Sequence, residues 1–219
     1  MKLKVCGMKY IENIQQVAML QPDYLGFIFY EKSKRNFEGI IPELPKEIKK
    51  AGVFVNEIPE IVVSLVEEYG LNMVQLHGDE TAEYIQQLKI IFKESISEKH
   101  QKAKYKTPEI VKVFGIKNEF NFEILKPYEQ IVDYFLFDTK GKERGGNGIT
   151  FNWKVLEKYP FTKPFFLSGG IGLNETKEVN KLQSKKLPIY ALDVNSKFET
   201  TVGLKSVEKI KKFKQELKL

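Results

Sequence analysis

Eight times along this chain, a short run of β-branched and aromatic residues gives way to a polar or glycine-containing turn and then to apolar residues at helical spacing. The runs occupy residues 3–6, 24–29, 52–55, 73–76, 110–114, 134–138, 165–168 and 189–194. Helical spacing is clearest in Ile11, Ile14, Val17 and Ala18, in Ile58, Ile61, Val62, Leu65 and Val66, and in a last stretch after Ser206. Strand then helix, eight times over, predicts an α/β chain folded as a single-domain (β/α)8 TIM barrel over residues 1–219. A doubly wound open sheet shares that alternation. Its glycine signature is missing, however: the first run is followed by Cys6-Gly7-Met8-Lys9, and neither G-x-G-x-x-G nor G-x-x-x-x-G-K-[ST] occurs. The one wide interval, between the runs at 73 and 110, contains the polar segment 93–106, read as a surface insertion and not as a domain boundary.

Composition then removes whole classes. Hydrophobic residues make up 42% and aromatics 12%, too many for a disordered chain. No apolar run reaches the ~18–20 residues of a bilayer span, and the N-terminal residues lack the apolar stretch of a signal peptide. A soluble, cytoplasmic protein without a membrane partner is expected. The lone cysteine, Cys6, has no partner for an internal disulfide and no His cluster for zinc, so no metal site is expected. The net charge of +6 raises the question of nucleic acid. Its excess, however, lies in segment 93–106 and in residues 203–219, where Val207, Ile210, Phe213 and Leu217 fit the buried stripe of a terminal helix. Those lysines read as solvated faces, and nucleic acid is not expected as a partner. Of the 35 basic residues only Arg35 and Arg144 are Arg, so a planar fork at either position is a candidate for anion recognition.

In such a barrel, chemistry is built at the C-terminal ends of the strands. Cys6 closes the first run before a glycine, where a thiol is either a small core residue or a nucleophile or base at the mouth. Lys4, on the same side, would lower the thiol's pKa or pair with an inward carboxylate. Asp138 closes the sixth run; desolvation would keep it protonated as a general acid, the alternative being a loop cap or a partner for Lys140. The glycine loop 145–148 runs toward a helix that Asn152 could cap. The loops after the seventh and eighth runs, with Gly169, Gly170, Asn195 and Ser196, lie where this fold commonly holds a phosphate, their backbone N–H groups free to approach an oxyanion. His77 fits either a mouth contact or a hydrogen-bonded structural role.

These motifs, taken in order, resemble the phosphoribosylanthranilate isomerase family: Lys4-Val5-Cys6-Gly7-Met8, Gly26-Phe27-Ile28-Phe29 leading to Ser33-Lys34-Arg35, Gly52-Val53-Phe54-Val55-Asn56, Gln75-Leu76-His77-Gly78, Phe137-Asp138-Thr139, Gly145-Gly146-Asn147-Gly148, Leu167-Ser168-Gly169-Gly170 and Asp193-Val194-Asn195-Ser196. The resemblance covers nearly the whole chain. It implies an Amadori rearrangement of N-(5-phosphoribosyl)anthranilate in tryptophan biosynthesis, with Cys6 as general base and Asp138 as general acid. By the same resemblance the substrate is contacted by Arg35, His77, Gly146 and Asp193, and its phosphate by Gly169, Gly170, Asn195 and Ser196. No cofactor is implied, and the partner is a phosphorylated small molecule bound by a monomer or homodimer. The chain departs from the family pattern at Lys9, at Lys197 and at Val202-Gly203 and Ser206. Two alternatives stand beside this reading: a histidine-pathway aminoaldose isomerase, against which Cys6 argues, and a basic nucleic-acid-binding or scaffold protein.

Overall fold

The computed structural model describes residues 1–98, 106–140 and 150–219; of residues 96–98 it describes the backbone. Eight parallel strands close into a barrel in chain order: β1 (Lys2–Val5), β2 (Tyr24–Phe29), β3 (Lys49–Phe54), β4 (Met73–Leu76), β5 (Glu109–Ile116), β6 (Tyr134–Thr139), β7 (Phe165–Leu167) and β8 (Ile189–Val194). Closure is made by β1, which pairs Lys4 with Tyr24 of β2 on one edge and with Asp193 of β8 on the other.

Side chains alternate across each strand, so β2 to β8 each feed two cores, while β1 turns Lys4 inward. Phe135 and Phe137 of β6 join the layer between sheet and outer elements, whereas Leu136 packs inside the barrel with Met73, Val111, Phe166 and Ala191. The same period that turns Leu136 inward turns Asp138 inward two residues later, at the C-terminal end. On β1 it does the same for Lys4 and then Cys6.

The outer layer contains α1 (Ile11–Ala18), α2 (Pro59–Tyr69), α3 (Ala82–Glu98), α4 (Thr176–Gln183) and α5 (Val207–Leu217). Sequence patterning is a good guide to α2, which starts on Pro59 and stops at Gly70 in the left-handed region at φ 59°. It is equally good for α5, capped by the Ser206 side chain and burying Ile210, Phe213 and Leu217. The expectation of a helix after every strand needs correction. Among the described residues no helix follows β2, where Gly39, Pro42 and Pro45 interrupt the connection. After β5 and before β7 stand 3₁₀ segments, Phe122–Tyr128 and Trp153–Lys158, the first with Pro127 inside and the second followed by Pro160. Proline lacks the N–H an α-helix needs and disfavours a helical residue before it, which shortens these turns.

An unanticipated antiparallel hairpin, β9 (Glu199–Thr201) and β10 (Leu204–Lys205), lies between β8 and α5. The polar segment 93–106 begins as the last turns of α3; residues 99–105 lie outside the described ones. No described helix is long and apolar enough to cross a membrane.

Candidate active site

The C-terminal mouth of the barrel is organised around a lysine with no exposed surface. Lys4 Nζ donates to Gln75 Oε1 on β4 at 2.6 Å and to Asp193 Oδ1 on β8 at 2.9 Å. Burial opposes its charge, but the fields of Asp193 and Cys6 outweigh burial and hold its pKa above the ordinary lysine value. Asp193 is itself pushed up by burial, against the pull of Lys4. Both groups are therefore buried and paired, the condition under which such charges are tolerated.

Beside Lys4 lies Cys6, buried just past the end of β1. Gly26 makes room for it: a Cβ there would stand 2.8 Å from the thiol sulfur. Burial pushes the Cys6 thiol up, while the positive charges of Lys4 and Lys205 pull it down. The expectation that Lys4 would lower this pKa is right in sign but is outweighed in the net by desolvation. Any thiolate formed here is stabilised by those two ammonium groups and has little help from water.

Across the mouth, Asp138 Oδ1 accepts the Thr139 N–H at 2.8 Å, and Oδ2 lies 3.3 Å from His77 Nε2. His77 Nδ1 is 3.1 Å from Gln75 Nε2. A continuous polar path thus runs from Asp193 through Lys4, Gln75 and His77 to Asp138. Behind His77 the loop is fixed by the buried carboxylate of Glu80, which accepts from the Asn56 and Gly78 N–H groups and from Lys112 Nζ at 2.9 Å.

A second charged group forms the rim. Arg35 forks onto Glu199 with its Nε and one terminal nitrogen at 2.8 and 2.7 Å. Lys205 Nζ meets the same carboxylate at 2.7 Å and Asn195 Oδ1 at 2.5 Å. Burial penalises the Glu199 charge, but its cationic partners win and lower its pKa; burial lowers that of Lys205. Arg35 also arches over Gly7, where a Cβ would stand 2.8 Å from its Cδ. The fork expected to receive an anion is thus engaged by Glu199.

Glycines shape the loops after β7 and β8. Gly169 and Gly170 adopt φ 88° and 64°, values that favour glycine. A Cβ on Gly169 would collide with Thr139 Oγ1. The loops touch each other, since a Cβ on Gly172 would meet Lys197 at 3.1 Å. Ser196 opens a 3₁₀ turn, Ser196–Phe198, anchored by the ring of Phe198 against Phe213 of α5.

The family described as N-(5'phosphoribosyl)anthranilate (PRA) isomerase matches residues 3–216 of this chain. The chain belongs to that family. A phosphoribosylanthranilate isomerase of Parabacteroides distasonis is 37% identical over 223 residues, covering 99% of this chain and 93% of its own. The crystal structure of the Thermotoga maritima phosphoribosylanthranilate isomerase is 29% identical, with a TM-score of 0.76 over 99% of this chain and 98% of that one. Another phosphoribosylanthranilate isomerase structure, 28% identical with a TM-score of 0.72 over 99% and 98%, is a complex with reduced 1-(o-carboxyphenylamino)-1-deoxyribulose 5-phosphate.

Of the residues singled out in the sequence for a phosphoribosylanthranilate isomerase, the structure brings Cys6, His77, Asp138 and Asp193 into one mouth, with Arg35, Asn195 and Ser196 on the rim. Gly146 lies outside the described residues. Glu80, Lys112 and Lys205 were missed as parts of the site. A lysine in a strand position otherwise filled by apolar residues is the signal that could have found Lys112; no such signal marks Glu80 or Lys205.

Proposed function

We propose that this chain converts N-(5'-phosphoribosyl)anthranilate into 1-(2-carboxyphenylamino)-1-deoxyribulose 5-phosphate, a step of tryptophan biosynthesis, with Cys6 as general base and Asp138 as general acid. The observation that carries the reading is a thiol and a carboxyl group at the ends of β1 and β6, facing one mouth and tied into one polar network. Family membership along nearly the whole chain supports the substrate.

The chemistry requires no more than that pair. Asp138 delivers a proton to the furanose ring oxygen as the C1'–O bond breaks, leaving a protonated Schiff base between C1' and the anthranilate nitrogen. The Cys6 thiolate, held by Lys4 and Lys205, removes the proton from C2', and those electrons neutralise the Schiff base to give an enolamine. Loss of the enol proton from the C2' oxygen and gain of one at C1' yield the ketone, so protons and electrons balance. In this reading Gly169, Gly170, Asn195 and Ser196 hold the phosphate, Gly146 and His77 border the substrate, and Arg35 supplies a rim charge shared with Glu199. Asp193 acts from behind, through Lys4. The same reading places the enzyme in the cytoplasm.

Anthranilate fluorescence reports substrate consumption directly. Purified protein mixed with freshly generated phosphoribosylanthranilate is expected to quench it with saturable kinetics, with or without chelator. Turnover of the histidine-pathway aminoaldose in its place, with phosphoribosylanthranilate untouched, would overturn the assignment.

A further inference from the structure

His77 reaches the acid and Gln75 reaches His77, yet neither is explained by proton transfer itself. Their hydrogen-bond geometry leaves little freedom. A carboxamide has one acceptor, its oxygen, and an ammonium group has only donors. Lys4 Nζ at 2.6 Å therefore fixes Oε1 of Gln75 toward itself, and Lys4 is in turn anchored to Asp193. The Gln75 Nε2, a donor only, is left facing His77 Nδ1 at 3.1 Å. Nδ1 must then present its lone pair, and the proton of the neutral ring sits on Nε2, 3.3 Å from Asp138 Oδ2.

We infer that Gln75, locked by Lys4, is a positioning residue that keeps His77 in the Nε2–H tautomer and so aims a hydrogen-bond donor at the carboxyl group of Asp138. The inference rests on the reading of Asp138 as the acid and extends it. As Asp138 gives up its proton, negative charge appears on its two oxygens. The Thr139 N–H already faces one of them and the His77 N–H the other. Donors oriented before the charge forms stabilise it without reorganisation, which favours the transition state over the ground state. His77 thus acts as a fixed dipole, and the lysine at the barrel centre sets its direction at a distance of two side chains.

The tautomer can be read without any assay. The chain has two histidines, His77 and His100, so a ¹⁵N-histidine-labelled protein gives two imidazole systems, assigned by loss of one in His77→Gln. Spectra are recorded at about pH 8.5, where free imidazole, with its ordinary pKa of ~6.5, is neutral. His77 is expected to show its proton on Nε2. Gln75→Glu is isosteric and still offers Lys4 an oxygen, but it presents an acceptor to Nδ1. The proton is expected to move to Nδ1, and kcat to fall about 10- to 100-fold with KM within about threefold. Gln75→Met, which offers Nδ1 no donor, is expected to mix the tautomers and lower kcat by less.

A wild-type spectrum with the proton on Nδ1, or a Gln75→Glu protein with wild-type tautomer and kcat, would overturn the inference. Should Gln75→Glu fail to fold by circular dichroism, the wild-type spectrum and Gln75→Met decide it. Absence of isomerase turnover in the wild type would instead sink the assignment of the acid, while the spectra would still test the lock on His77.

Discussion

At the N-terminal end of the strands the barrel is filled by Tyr24, Tyr134, Tyr190 and Phe166, whose rings pack at centroid distances of 4.3–5.7 Å. At the other end β1, β4, β6 and β8 turn Lys4, Gln75, Asp138 and Asp193 inward. Polar atoms occur at both ends, but they are tied off differently. On the floor, the Tyr24 hydroxyl meets Tyr190 and Glu109, and Glu109 pairs with the part-exposed Lys49 at 2.6 Å. Lys2 and Lys49 lie over the tyrosine rings, 5.1–5.9 Å from their centroids. These contacts occupy hydroxyls and ring faces and leave dispersion and burial to do the holding. In the mouth, by contrast, Lys4 and Asp193 are buried charges held by each other, with Gln75 as a further partner of the ammonium. One end of the barrel is built to be filled, and the other to keep charge in a place where water would weaken it.

If that division is right, substitutions at the two ends separate activity from stability. The largest effect is expected from Cys6→Ser and Asp138→Asn, each losing about 10²–10⁴-fold in kcat because a general base or acid is removed with its shape kept. Both are to be measured on protein shown by thermal melt to be folded. Near wild-type turnover in folded Cys6→Ser would make the thiol a packing residue and dissolve the contrast. Phe166→Ala attacks the floor instead. Its ring has no exposed surface, and its loss is expected to cost about 3–5 kcal/mol, or about 6–20 °C in Tm for a chain of this size. Turnover per folded molecule should stay near wild type below that Tm; a comparable fall in kcat would show that the floor shapes the mouth.

The smallest effect is Tyr24→Phe, and it carries a sign. Burial, seconded by the Tyr190 hydrogen bond and the Glu109 charge, raises the Tyr24 pKa well above the ordinary value near ~10. A group whose folded pKa is raised lends stability that is complete below its unfolded pKa and declines as pH rises above it. Tyr24→Phe should therefore cost about 1 kcal/mol near neutrality, through its lost hydrogen bonds. That deficit should shrink above pH ~10, where wild type must deprotonate on unfolding and Phe cannot. Denaturant midpoints from pH 7 to 11 test it, and a deficit that widens with pH contradicts it.

Much of this contrast is visible before folding is considered. Period-two alternation places Cys6 with Lys4, and Asp138 with Leu136, on inward faces, so the two residues proposed for proton transfer are legible as inward strand ends. The pairing of Lys4 with an inward carboxylate is also foreseeable from its place in an apolar strand. The link from Lys4 through Gln75 to His77 is not, because it depends on which strands face each other across the barrel, and the one polar residue of the run at 73–76 does not name its partners. Nor does local sequence disclose the β9–β10 hairpin, whose strands of three and two residues are too short for any periodicity. The thiol's net pKa escapes for another reason: its direction is decided by depth, which only the assembled barrel sets against the nearby lysines.

Lys4 and Asp193 are separated by 189 positions in the chain. On a ribosome adding about 5–20 residues per second, Lys4 emerges roughly 10–40 s before its carboxylate exists. During that interval a lysine destined for complete burial has no counter-charge, and the cost of burying it alone discourages premature closure around β1. Arrival of β8 completes the sheet and neutralises the ammonium in the same event. The ion pair that organises the mouth thus joins the first strand to the last, so neutralisation of the buried ammonium and closure of the sheet are one event.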